Sequence, residues 1–94
     1  MTKIPQADST QLRRLYTAFA QLQTPEEVAL LMSDLCTVRE VNEMSQRLLV
    51  ADMLAAGDAY LEIQGQTGAS TTTIARVSKC LSHGSGGYRL VQDD

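Results

Sequence analysis

The sequence predicts an all-α domain, and three observations carry that expectation. Apolar residues recur at three- and four-residue steps, as in Leu12, Leu15, Tyr16, Phe19 and Leu22. Helix-start signals stand ahead of such runs, most plainly Thr24-Pro25-Glu26-Glu27. Aromatic residues are few (Tyr16, Phe19, Tyr60 and Tyr88, with no Trp), so Leu, Val, Ala and Met must build the core. That composition suits helix packed on helix.

The elements follow in order. Residues 1–8 read as a loose, flexible arm. Asp8 or Ser9 caps a first helix, with Gln11 placed to complete a capping box with Asp8. Thr24 caps a second helix, Pro25 suits its first turn, and Glu27 answers the cap. Val28, Leu31, Met32 and Leu35 line one face of it. Thr37-Val38-Arg39-Glu40 repeats the capping pattern and opens the longest helix, which runs to a stop at Gly57. Asp58 caps a short fourth helix through Tyr60, Leu61 and Ile63. Gly65 and Gly68 mark its end and a tight turn. Ser70 or Thr71 caps a fifth helix with Ile74, Val77 and Leu81 facing inward. Ser82-His83-Gly84-Ser85-Gly86-Gly87 reads as a flexible break. Tyr88-Arg89-Leu90-Val91 reads as a short extended tail that packs back.

Ninety-four residues make a single domain. Its parts are the arm (1–8), dimerisation helices (9–57), a helix-turn-helix (58–83) and a Gly-rich tail (84–94). The dimer is expected from the long helix. Its second half, Leu48-Leu49-Val50-Ala51-Asp52-Met53-Leu54-Ala55-Ala56, is apolar nearly all round. Such a helix must be buried on every side, and a chain this short hardly supplies the cover. A homodimer with this helix at its centre does. Asp52 is the exception in the stretch, expected to face solvent or to pair across the dimer.

Composition excludes several classes. Cys36 and Cys80 form no CxxC pair, and with one His there is no metal-ligand set, so neither cofactor nor metal is expected. No signal peptide is read in residues 1–9, and no run approaches the length of a membrane span. A cytoplasmic protein is expected. No nucleophile–base pair, carboxylate pair or phosphate loop can be assembled, so an enzyme is not. The net charge of −3 argues against nucleic acid, but its distribution argues for it. Residues 1–62 carry nine acids and five bases, whereas residues 63–92 carry no acid and hold Arg76, Lys79 and Arg89. The second stretch lacks the charge that DNA repels.

That stretch also has the pattern of a helix-turn-helix between Tyr60 and Leu81. Gly68 tolerates the positive φ that the turn needs. Ile63, Ala69, Ile74 and Val77 are spaced to lock the two helices together. The second helix then presents Ser70, Thr71, Thr72, Ala75, Arg76 and Lys79, small or polar residues that let a helix sink into a major groove, and two bases that reach guanine or phosphate. Gln64 on the first helix completes the candidate DNA contacts. Two features depart from the usual pattern: Gln64 where Ala is common, and Gly65 inside the first helix.

Four strings now carry a resemblance: Thr24-Pro-Glu-Glu27, Glu43-Met-Ser-Gln-Arg47, Tyr60-Leu-Glu-Ile63 and Gly68-Ala-Ser-Thr-Thr-Thr-Ile-Ala-Arg-Val77. From Thr37 to Gly84 the chain resembles the Trp repressor-like superfamily. Over almost its whole length it resembles the TrpR-related YerC/YecD-type family. Glu43–Arg47 also matches a string inside the helix-turn-helix of Trp repressor. A register through Gly57 and Thr73-Ile74-x-Arg76 places it instead in the preceding long helix, and only that register puts Gly68 at the turn. The resemblance implies an interwoven dimer whose N-terminal helices clasp the partner. It also implies a near-palindromic operator in double-stranded DNA, read by recognition helices about 34 Å apart.

In the same register Thr37, Arg47, Arg76 and Cys80 match residues that contact the corepressor, which implies a small-molecule effector. Arg47 and Arg76 suit a ligand carboxylate or aromatic face. Cys80 replaces a Ser that meets the ligand amine, and a thiol is a weak acceptor, which argues against tryptophan. Without a ligand, Arg47 is expected to pair with Glu43 and Arg76 to meet phosphate. The leading expectation is a sequence-specific transcriptional regulator, a dimeric repressor. The alternative is a protein-interaction module of the same shape that leaves DNA alone.

Overall fold

The computed structural model describes residues 6–92. Most of the expected arm over 1–8, and the closing Asp93 and Asp94, lie outside the described residues. Six helices and no strand make up what is described: α1 (Ser9–Ala20), α2 (Pro25–Leu35), α3 (Val38–Ala55), α4 (Tyr60–Thr67), α5 (Thr71–His83) and α6 (Gly87–Leu90). The chain forms two compact units, the first ending at Thr37 and the second beginning at Val38.

The first unit holds α1 and α2. Asp8 and Gln11 close the capping box from both sides: the Asp8 carboxylate accepts the Gln11 N–H at 2.8 Å, and Gln11 Oε1 accepts the Asp8 N–H at 3.0 Å. Thr24 Oγ1 accepts the Glu27 N–H at 3.1 Å, with Pro25 in the first turn. Glu27 departs from its expected role. Its carboxylate takes the N–H of Gln23 at 2.7 Å, the residue before the cap. Neither helix contains a buried residue. Leu12, Phe19, Leu22, Val28, Leu31 and Met32 are half-buried, while Tyr16, Leu30 and Leu35 are exposed. The two apolar faces exist as expected, yet the chain covers them only in part.

The second unit holds the core. Val50, Ala51 and Met53 from α3 meet Ile63 from α4, Ala69 from the turn, and Ile74 and Val77 from α5, with Leu54, Leu81 and Tyr88 packed against them. Val50, Ile63, Ile74 and Val77 are the largest fully buried side chains. Each contributes about 1.5–3 kcal/mol. The second half of α3 is covered on one side only. Leu48 and Leu49 remain 42% and 46% exposed, and Ala55 and Ala56 are exposed. Asp52 is exposed too, and its Oδ1 accepts a hydrogen bond from Gln92 Nε2 at 3.3 Å.

The stop at Gly57 is a Schellman motif. Gly57 has φ +89°, its N–H donates to the Leu54 carbonyl, and the Asp58 N–H donates to the Met53 carbonyl, both at 3.0 Å. This corrects the start expected for α4. The Asp58 N–H serves the end of α3, and α4 begins at Tyr60, so its N-cap position falls one residue later, on Ala59, with no side-chain hydrogen bond. The tail also differs. Residues 87–90 are helical rather than extended. A lone strand would leave its backbone groups unpaired, since no strand exists among the described residues for it to join. Gly86, at φ +87°, turns the chain so that Tyr88 packs on the core. The expected break from Ser82 begins later, because α5 continues through His83.

Candidate nucleic-acid interface

A side chain and a glycine organise the turn between α4 and α5. Thr67, the last residue of α4, donates its hydroxyl to the Ile63 carbonyl at 2.7 Å and accepts the Ala69 N–H at 3.1 Å. Gly68 follows at φ +73°, with its N–H on the Gln64 carbonyl at 2.9 Å. Nothing lies within 4 Å of where a Cβ at position 68 would stand, so the backbone conformation alone demands glycine there. Ser70 then caps α5: its Oγ accepts the Thr73 N–H and donates to Thr73 Oγ1, both at 3.1 Å. Three residues, 68–70, separate the helices. Ile63, Ala69, Ile74 and Val77, the residues expected to lock them, are all buried.

With Ile74 and Val77 turned inward, α5 presents an outer face. Thr71, Thr72, Ala75, Arg76 and Lys79 are all exposed. Their positions, i, i+1, i+4, i+5 and i+8, make one stripe along the helix. It carries two positive charges and no acid. The two sequence-derived candidates outside this stripe are placed differently. Ser70 is exposed, but its hydroxyl is engaged by the cap. Gln64 is half-buried on α4.

The candidate effector residues fall in both units. Thr37 closes the first unit, whereas Arg47, Arg76 and Cys80 belong to the second. Arg47 is half-buried on α3. The pairing expected between Arg47 and Glu43 is replaced: Glu43 meets Arg39 at 3.3 Å, one turn away. This solvated pair contributes a few tenths of a kcal/mol. Cys80 is exposed and lines a cavity of about 310 Å³ with Ser85, Gly86, Gly87, Tyr88 and Val91. Neither Arg47 nor Arg76 lines that cavity. Among the described residues, no group of three or more His, Cys, Asp or Glu could hold a metal ion, and no helix is long and apolar enough to cross a membrane.

Sequence reading missed two residues of this unit. Thr67 had a local signal, a threonine directly before a turn glycine, where a hydroxyl often bonds the backbone two residues on. Gln46 had none. From α3 its Nε2 donates to the Thr67 carbonyl at 3.1 Å, across 21 positions of sequence.

Comparison with known proteins agrees with this geometry. The sequence profile of the Trp repressor protein family matches residues 10–93. YerC of Bacillus subtilis (strain 168), itself uncharacterized, is 41% identical over 83 residues, covering 88% of this chain and 80% of that protein. A crystal structure from Staphylococcus aureus, described as a candidate Trp repressor, has a TM-score of 0.84 at 39% identity, over 89% of this chain and 84% of that one. A TrpR-like protein from Eubacterium eligens ATCC 27750 has a TM-score of 0.85 at 38% identity, over 88% and 86% of the two chains.

Proposed function

Because the chain belongs to the Trp repressor protein family, a family of DNA-binding regulators and not of enzymes, we propose that it is a dimeric repressor reading a palindromic operator. One observation carries the reading. The outer stripe of α5, Thr71, Thr72, Ala75, Arg76 and Lys79, is exposed, free of acid and set on a helix whose other side is buried. Small side chains let such a helix approach base edges, the threonine hydroxyls donate or accept there, and the two cations reach guanine or phosphate. Ser70 caps the helix beside the bases, and Gln64 is the candidate DNA contact from α4.

The dimer rests on the uncovered apolar surface. In the first unit α1 and α2 bury no residue, and α3 leaves Leu48 and Leu49 open in the second. A second copy of the chain would cover such faces. A small effector would engage Arg47 and Arg76, and action on DNA places the protein in the cytoplasm.

Selection from a random duplex DNA pool, run with and without tryptophan, tests this reading. An enriched palindrome is the expected result. No enrichment at low salt under either condition would sink it. The net charge of −3 favours a second reading, a protein partner in place of DNA. Salt separates the two, because DNA binding weakens steeply with salt through counterion release.

A further inference from the structure

The hydrophobic lock around Ile63, Ile74 and Val77 holds α4 and α5 against α3, but apolar contact is non-directional. Packing sets how firmly the reading head sits and selects its crossing angle only to within about 15–20°. A hydrogen bond depends on direction as well as distance. Gln46 Nε2 supplies one at 3.1 Å, from α3 to the carbonyl of Thr67. That carbonyl is among those the end of α4 leaves without a partner inside the helix. The same threonine organises the turn through its hydroxyl, which holds Ile63 on one side and Ala69 on the other. Gln46 therefore grips the head at the residue on which the turn is built, and it does so from a half-buried position.

We propose that Gln46 is a positioning residue: it fixes the angle of α4 and α5 on α3, and through α3 the separation of the two recognition helices in the dimer. This rests on the reading of the chain as a dimeric operator-binding protein. Losing the bond leaves α5 and its stripe intact but lets the head rock on its apolar bed. Each half-site can still be read. What is lost is the match between the two heads and one operator spacing.

Two variants test this. Gln46→Met keeps the length of the side chain and removes the donor. Gln46→Glu keeps the shape and, at neutral pH, replaces the donor with an acceptor. The operator enriched by the parent protein is remade with its half-sites one base pair closer and one base pair farther apart, and affinities are measured for all three. Circular dichroism and sedimentation check that fold and assembly persist. Both variants are expected to bind the selected operator about three- to tenfold more weakly, the size of one net intramolecular hydrogen bond. On the two respaced operators their affinity should change less than twofold, so that discrimination by spacing shrinks. Destabilisation alone would lower all three affinities together, and that pattern would overturn the proposal. Unchanged binding in either variant would overturn it too. A parent protein that enriches no site removes the operator reading, and this assignment falls with it.

Discussion

Two glycines in the reading head sit in open space and call for opposite outcomes. At Gly68 the backbone is left-handed, with φ +73°. A side chain would meet no neighbour, yet would hold that conformation at a cost of about 1–2 kcal/mol. Gly68→Ala should therefore lower the urea-unfolding free energy by about that amount, with Gly68→Asn losing less. Gly65 lies inside α4 with no positive φ, and again nothing lies within 4 Å of its missing Cβ. Gly65→Ala should raise stability by up to about 1 kcal/mol, measured the same way. Arg76 and Lys79 are exposed, so removing either should leave the fold alone. Arg76→Ala and Lys79→Ala should each weaken operator binding about five- to a hundredfold if the residue meets a base edge. A phosphate contact would show instead as uniform weakening across sequences. Titration of the selected site with each variant gives the answer; parental affinity in both would move the interface off α5.

At the level of the helix, Ser70 joins stability to function. Its hydroxyl satisfies the Thr73 N–H at the start of α5. Ser70→Ala should cost about 1 kcal/mol of stability, and Ser70→Asp should retain most of it. The aspartate would also set a negative charge beside the stripe, so it should bind DNA less well than the alanine variant while being the more stable of the two. Thermal unfolding and operator titration of that pair would separate capping from recognition. What was legible here was local. The capping box of Asp8 and Gln11, the cap of Thr24, the stop at Gly57 and the outward residues of α5 depend on neighbours within a turn or two. What was not legible depends on events elsewhere. Asp58 has the chemistry of a cap, but where the chain re-enters a helix after the turn at Gly57 decides which residue holds that position. The tail looked extended because nothing near Tyr88 shows that a core waits for its ring. Gln46 could not be tied to Thr67 by any rule of spacing, since 21 positions separate them.

For the molecule as a whole, the decisive quantity is apolar surface without cover. Sedimentation at micromolar concentration should return a dimer, and a monomer would remove the argument built on α1, α2 and the open side of α3. In the proposed dimer, two protomers would bring four stripe cations to one operator. With all four on phosphate, the logarithm of the binding constant should then fall with the logarithm of salt concentration at a slope of about −3.6. A slope near zero would point to a protein partner instead. The architecture itself was legible as a class, helices locked by Ile63, Ile74 and Val77. The division at Thr37 was not, because no break in composition marks it.

The absence of any buried residue in α1 and α2 also bears on how long such a protein lasts in a cell. An unaccompanied chain would carry two helices with little beneath them, open to any protease that needs a few unfolded residues to begin. Finding a second copy would close that opening. If the proposed dimer forms, lifetime would rise with abundance: scarce chains would be cleared, plentiful ones would persist, and the strength of one pairing would set the switch between the two states. Synthesis rate would be amplified into regulator level before any DNA is touched.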